Sequence, residues 1–238
     1  MRQIREAVLP MAASDEHLPK TVREYRAKYK GVSRILDEHP EILKAVHEDL
    51  QKLSQGGRKG RSGDFTSETM LRALVVHAIE GLSLRETVVR IAESEFLQDF
   101  LRTRKRAVMD HTFLDRCLQA VRPATWKRVN ELLGQQAAQQ QRIATATIRT
   151  DTTVVETNIH WPTDSSLLWD TRRMRDFADK VLAMWQAFRA GIEGTISGLK
   201  RAFRLARCFY RGFKHFQGAI GLAVFSHNLI VLAKHAMT

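Results

Sequence analysis

Apolar residues recur at helical spacing along the first part of the chain. One stripe consists of Val22, Tyr25, Tyr29, Val32, Ile35 and Leu36, and a second of Ile42, Leu43, Val46, Leu50 and Leu53. Pro40 separates the two stripes, so the pattern predicts a pair of helices that form a hairpin. Residues 55–63 follow with four glycines and three cations, a composition typical of a flexible basic loop.

A second helical pair is predicted on either side of Gly81. An apolar stripe runs from Ser67 to Glu80, and Ser83 with Glu86 has the spacing of a capping box that starts the next helix. Two helices joined by a short glycine turn occur in helix-turn-helix DNA-binding motifs, but most such hairpins do not bind DNA. The pattern leaves both interpretations open.

Helical spacing continues to about residue 142 and then changes. Asp110 is placed to cap a helix that ends near Val121, and Thr125 to cap another after the break at Pro123. From residue 143 β-branched residues dominate, which predicts a strand over about 144–152 that could extend to 159. Helical spacing returns near Phe177, and residues 219–236 form an apolar stretch interrupted by polar side chains, more typical of a buried helix than of a membrane span.

These patterns predict a mostly α protein, with a helical N-terminal part followed by an α/β part that has few strands. They divide the chain into a hairpin and basic loop (1–62), a helical segment (63–142) and a mixed segment (143–238). The two cysteines, Cys117 and Cys208, show neither a CxxC spacing nor a metal-ligand spacing. Reduced thiols in a cytoplasmic protein are therefore expected.

The amount and distribution of charge add a candidate function to this fold prediction. The net charge is +12, and residues 171–238 hold twelve lysines and arginines but only three acids. Such a segment attracts polyanions, so a phosphate-binding surface is one interpretation. A solvated basic face that keeps the protein soluble is the other.

Two segments have the residue types of phosphodiester chemistry. Asp151 lies near the end of the predicted strand, where a carboxylate can point into a cleft or simply cap a turn. Arg189, Glu193 and Lys200 are spaced by four and seven residues, which places them on one face of a helix. A carboxylate between two cations suits a metal ion and a phosphate, although a surface ion-pair ladder has the same spacing.

Three segments together resemble the DDE insertion-sequence transposases of bacteria. The segment FTSETMLRALVVHAIEGLSLRETVVRIAESEFLQDFL is similar to their helical N-terminal region, and TDTTVVETNIHWPTDSSLLWD to their first-acid segment. RAGIEGTISGLKRAF, with the following RLARCFYRGF and AVFSHNLIVLA, is similar to their C-terminal end. Arg189, Glu193 and Lys200 match the last three members of the family's Tyr-Arg-Glu-Lys signature, whereas Gln186 replaces the Tyr.

The resemblance implies a ribonuclease H-like core in which acids bind two Mg²⁺ (or Mn²⁺) ions. It makes Asp151 and Glu193 the catalytic metal ligands. It also implies that a set of basic residues binds DNA: Arg189, Lys200, Arg201, Arg204, Arg207, Arg211 and Lys214. The segment 63–142 corresponds to a DNA-binding or dimerisation domain, and 143–238 to the catalytic domain.

The chain departs from the family at its second catalytic aspartate. Only 42 positions separate Asp151 from Glu193, and no strand ending in Asp is predicted between them. An internal deletion near residues 169–177 accounts for this, leaving a truncated catalytic domain. Loss of one ligand leaves the metal charge less compensated, so impaired catalysis is expected.

The sequence thus predicts a transposase-derived protein that acts on double-stranded DNA at the terminal inverted repeats of a transposon. A homodimer, a cytoplasmic and nucleoid-associated location and no membrane contact are expected. One alternative is a non-catalytic DNA-binding remnant that competes for transposon ends. Another is a pseudogene product without a folded state.

Overall fold

The computed structural model describes residues 4, 15–54, 65–103, 109–139, 193–203, 205 and 212–235. Within these ranges the chain is helical apart from turns and short connections, and no strand occurs among the described residues. The prediction of a mostly α protein is confirmed. The strand predicted over 144–152 lies outside the described residues.

Nine helices can be numbered in the described ranges. They are α1 (Lys20–Glu38), α2 (Pro40–Leu50), α3 (Ser67–Glu80), α4 (Leu84–Glu93), α5 (Glu95–Leu101), α6 (His111–Ala120), α7 (Pro123–Gln139), α8 (193–202) and α9 (Phe213–His235), with a 3₁₀ turn at Gln51–Ser54. The chain divides into two compact units, of which the first joins Met1–Ala144 to Tyr210–Thr238 and the second is Thr145–Phe209. Helix α9, part of the predicted segment 143–238, therefore packs in the first unit.

Helix α3 ends and helix α4 begins at the residues that the sequence predicts. Gly81 ends α3 with a φ of +60°, a left-handed conformation that suits glycine. The Ser83 hydroxyl accepts from the Glu86 amide at 3.3 Å, and the Glu86 carboxylate accepts from the Ser83 amide at 2.8 Å. The capping box is confirmed, and it fixes where α4 begins.

The start of α7 corrects one prediction. Thr125 does not cap this helix, because the helix begins at Pro123 and Thr125 lies in its first turn. The Thr125 hydroxyl instead donates to the carboxylate of Asp49, at 2.5 Å. The same carboxylate accepts from the Arg122 amide at 3.0 Å and from Arg122 Nε at 2.6 Å. A buried acid from α2 thus caps α7, where the helix dipole favours negative charge.

A buried ion cluster joins α1, α3 and α5. Arg72 is fully buried, and its guanidinium donates to Glu68 at 3.0 Å and to Asp37 at 3.2 Å. Arg102 donates to the same two carboxylates, each at 2.6 Å. Two cations and two acids therefore balance, as buried charges require. We call Asp37, Glu68, Arg72 and Arg102 the buried ion cluster.

Helix α9 lies against α1 and α7 at places where glycine removes a side chain. A Cβ at Gly221 would lie 2.5 Å from the Cβ of Trp126 in α7, and one at Gly31 in α1 would lie 2.7 Å from the Cβ of Ala233. Asn130 in α7 donates to the Gly221 carbonyl at 3.3 Å and accepts from Asn228 at 2.9 Å. These contacts hold α9 within the helical core of the first unit.

Residues Phe213–Lys234 of α9 are also long and apolar enough to cross a membrane, by length and composition alone. A single helix of this kind is a weak sign of a membrane protein, since core helices of soluble proteins share it. In the structure, Leu222, Phe225 and Leu229 of this helix are buried. The apolar 18-residue window of this helix is 44% buried, so the part that includes these three side chains packs as the predicted core helix.

Two Gly→Ala substitutions should change stability in opposite directions. At Gly221 the added methyl meets the buried Trp126, so we expect a loss of about 1–3 kcal/mol through overpacking. Gly134 in α7 is exposed and has nothing within 4 Å of an added Cβ, so Gly134→Ala should gain up to about 1 kcal/mol. Urea unfolding of the two variants tests this. If the two substitutions changed the free energy of unfolding equally, α9 would not lie against Trp126.

Substitution of Asp49 by Asn should weaken the structure in a pH-dependent way. Burial raises the pKa of Asp49, but hydrogen bonds from Thr125 and from the Arg122 amide outweigh it and hold the pKa below 3.8. A lowered pKa stabilises the fold above pH 3.8, and the contribution is lost as pH falls through the folded-state pKa. We expect Asp49→Asn to cost about 2 kcal/mol at neutral pH.

Thermal unfolding of Asp49→Asn at a series of pH values from about 6 to about 2 measures this effect. The variant should lose less stability on acidification than the wild type does. Asp99→Asn, at an exposed carboxylate of α5, serves as the control and should follow the wild type. An Asp49→Asn variant with the wild-type acid dependence would contradict the role of this carboxylate.

Candidate catalytic and DNA-binding residues

The residues that the resemblance makes catalytic or DNA-binding are only partly described by the structure. Asp151, Arg189, Arg204, Arg207 and Arg211 lie outside the described residues. Their roles, and the pairing of Asp151 with Glu193, stay predictions. The remaining four predicted residues lie on two helices, three on α8 and one on α9.

Helix α8 carries Glu193, Lys200 and Arg201. Glu193 and Arg201 are exposed and Lys200 is half-buried. Seven residues are nearly two helical turns, so Glu193 and Lys200 lie on the same side of α8. An added Cβ at Gly194 or Gly198 would meet nothing within 4 Å. Among the residues that the structure describes, none therefore fills the space beside these glycines.

The donor chemistry of Glu193 fits a divalent metal. Mg²⁺ prefers carboxylate oxygens, and Glu193 supplies one exposed carboxylate. Within the described ranges, no group of three or more His, Cys, Asp or Glu side chains could hold a metal ion. A metal site at Glu193 therefore depends on ligands from outside these ranges, of which Asp151 is the predicted one.

Lys214 belongs to the first unit, at the start of α9. It is exposed, and its neighbour Phe213 is 72% exposed, the largest exposed fraction of the big apolar side chains described. Lys214 lines a small hollow together with Pro123 of α7 and Gly218 of α9. The predicted DNA-binding lysine thus lies beside the start of α7.

A larger open groove, of about 650 Å³, runs between α7 and α9. Its apolar lining includes Pro123, Ala124, Ile220 and Val224, and its polar lining includes Lys127 and Glu131. Pro123 lines both this groove and the hollow that holds Lys214. We call the two together the α7–α9 groove.

Two lysines line the α7–α9 groove, Lys127 and Lys214, and Arg122 directly precedes the shared lining residue Pro123. The side chain of Lys127 is 79% exposed and that of Arg122 is 51% exposed. Sequence reasoning found only Lys214. Arg122 and Lys127 could have been noticed as basic residues at the polar start of a predicted helix, but nothing in the sequence shows that α9 packs beside them.

The α3–Gly81–α4 hairpin is the other surface that the sequence suggests for DNA. Its second helix exposes Arg85, Glu86, Val89, Arg90 and Glu93. Two cations and two carboxylates cancel on this face, so it offers DNA no net positive charge. The short glycine turn of a helix-turn-helix is present, but the exposed charges of α4 sum to zero, whereas the lining of the α7–α9 groove holds two lysines and one glutamate.

Comparison with known families finds a match over the N-terminal helices. Residues 19–120 match the family described as "Transposase domain (DUF772)". The match covers α1–α6 and the buried ion cluster, and it ends before α7. No curated protein and no solved structure matches the chain. The match to residues 19–120 supports a transposase-family protein.

Proposed function

We propose that this chain is a transposase-derived protein that binds double-stranded DNA at the terminal inverted repeats of a transposon. The observation that carries the proposal is the transposase-domain match over residues 19–120. The net charge of +12 supports it, because DNA affinity rests largely on cations that neutralise phosphates. A homodimer in the bacterial cytoplasm, associated with the nucleoid, belongs to the same proposal.

The proposed chemistry is that of the DDE transposases, on a truncated ribonuclease H-like domain. Asp151 and Glu193 would hold Mg²⁺ or Mn²⁺, which activates a nucleophile and stabilises charge on the phosphate. Arg189 and Lys200 would bind the DNA phosphates beside them. The short interval between Asp151 and Glu193 leaves no place for the family's second aspartate, so we propose weak metal binding and slow cleavage at most.

A second candidate is a DNA-binding remnant without catalysis, which competes with an intact transposase for transposon ends. The structure of the first unit is consistent with this alternative, because its described helices α1–α7 and α9 belong to one compact unit that does not include the predicted catalytic acids. The two candidates share DNA binding and differ in metal-dependent cleavage. Two measurements therefore separate them.

The first measurement is binding to a duplex that carries transposon ends, in a series of salt concentrations. We expect the logarithm of the binding constant to fall steeply with the logarithm of salt, by about 0.9 for each phosphate neutralised. The steep fall follows because bound cations release counterions from DNA. A protein that does not bind duplex DNA even at low salt would exclude both candidates.

The second measurement is nicking of the same duplex with Mg²⁺ or Mn²⁺. Any nicking by the wild type should fall to the protein-free rate in Glu193→Ala, because a metal ligand is lost. Glu38→Ala, at another exposed glutamate on α1, is the matched control and should nick like the wild type. The affinity for Mn²⁺ can be measured without any nicking. It should weaken in Glu193→Ala and stay at the wild-type value in Glu38→Ala.

Equal nicking and equal Mn²⁺ binding in the wild type and Glu193→Ala would rule out Glu193 as a metal ligand. DNA binding together with no nicking and no Mn²⁺ binding in the wild type would select the non-catalytic remnant. Both variants change exposed side chains, so unfolding temperatures close to the wild-type value are expected for each.

A further inference from the structure

We propose that the α7–α9 groove binds the sugar-phosphate backbone of double-stranded DNA, with Lys127 and Lys214 on phosphates. The inference rests on the proposed function, in that it presupposes DNA binding. It adds a DNA-contact surface on the first unit, whereas the predicted catalytic acids belong to the second unit. Lys127 and Arg122 lie outside residues 19–120 as well, so the family match does not point to them.

The geometry places the two lysines around a shared residue. Lys127 follows Pro123 by one helical turn, and both line the larger part of the groove. Lys214 precedes Gly218 by one turn, and both line the smaller hollow with Pro123. Pro123 therefore borders both the part of the groove that Lys127 lines and the hollow that Lys214 lines, and the two lysines come from different helices.

Arg122, next to Pro123, adds a guanidinium whose orientation is fixed in advance and whose charge is balanced by Asp49. Its Nε donates to the buried carboxylate of Asp49 at 2.6 Å, while 51% of the side chain is exposed. A guanidinium held in this way loses little conformational freedom when it meets a phosphate. Because the Arg122 amide also donates to Asp49, the start of α7 and this cation are held together.

The charge on Lys127 is available to a ligand. Its one described ion pair is with Glu131, one turn along α7, at 3.9 Å. Both side chains are largely exposed, 79% for Lys127 and 57% for Glu131, and such pairs contribute about 0–1 kcal/mol. A DNA phosphate can therefore replace Glu131 as the partner of Lys127 at little cost in free energy. The negative charge of Glu131 would itself repel the DNA.

Charge complementarity identifies the occupant of the groove. Two lining cations, Lys127 and Lys214, face one lining carboxylate, Glu131. An apolar protein segment would fit the floor of Pro123, Ile220 and Val224 but would offer Lys127 and Lys214 no acceptor of its own. A DNA backbone satisfies both, because its phosphates meet the cations while the sugar edges lie on the apolar floor.

The test compares two double charge reversals in the full chain, with a short DNA duplex as the probe. Lys127→Glu with Lys214→Glu alters the groove, and Lys20→Glu with Lys44→Glu alters exposed lysines on α1 and α2. Both lower the net charge equally. We expect the groove variant to lose affinity about tenfold or more, with the salt slope reduced by about 0.9 per lysine. The control should change affinity much less.

A matched pair of acids gives a reading of opposite sign. Glu131→Gln removes the one carboxylate of the groove and should strengthen DNA binding, whereas Glu48→Gln, at an exposed acid of α2, should change it less. A merely structural role of the groove would not produce tighter binding. If the charge reversals prevent folding, Lys127→Gln with Lys214→Gln removes the charges without reversing them.

The outcomes separate this inference from the proposed function. A wild type that does not bind the duplex at low salt overturns both. A wild type that binds, with the groove and control variants weakened equally, overturns the groove assignment alone and indicates that another surface binds DNA. Equal weakening of the two variants is also expected if a protein segment, and not DNA, occupies the groove.

Discussion

The burial of Arg72 is the constraint on which the N-terminal helices depend. A guanidinium without exposed surface costs several kcal/mol unless acids and carbonyls surround it. Glu68 lies one turn earlier on α3, but Asp37 must come from α1 and the Phe100 carbonyl from α5. The three helices are therefore held in one arrangement. Burial lowers the pKa of Arg72 to about 10, so the charge remains at neutral pH.

A second buried charge extends this arrangement to α7. Asp49 fixes both the first turn of α7 and the side chain of Arg122, and Trp126 in the next turn packs on Phe225 of α9 at a ring distance of 5.6 Å. The position of α9 is thus linked to α2 through α7. Lys127 and Lys214 of the α7–α9 groove lie on these two helices. The DNA binding that we propose there would therefore need no rearrangement of α7 and α9.

Local chemistry made part of the fold predictable. The Ser83–Glu86 capping box spans three residues, so the start of α4 can be read from the sequence. Long-range chemistry could not be read in this way. Asp49 and Arg122 are 73 positions apart, and Arg72 lies off the predicted apolar stripe of α3, although almost every residue of that helix is buried. In the sequence, Lys127 cannot be told from any other surface lysine, because its place in the groove depends on α9 lying beside α7.

The order of the chain is compatible with the truncation and the DNA binding that we propose. The first unit takes its helices from both sides of Thr145–Phe209, because α9 returns to pack on α1, α3 and α7. An internal deletion of the kind we propose removes residues from the second unit and none from this core. The contacts of Gly221 with Trp126 and of Gly31 with Ala233 need only that α9 is present. Loss of catalysis and retention of DNA binding are therefore physically compatible in one chain.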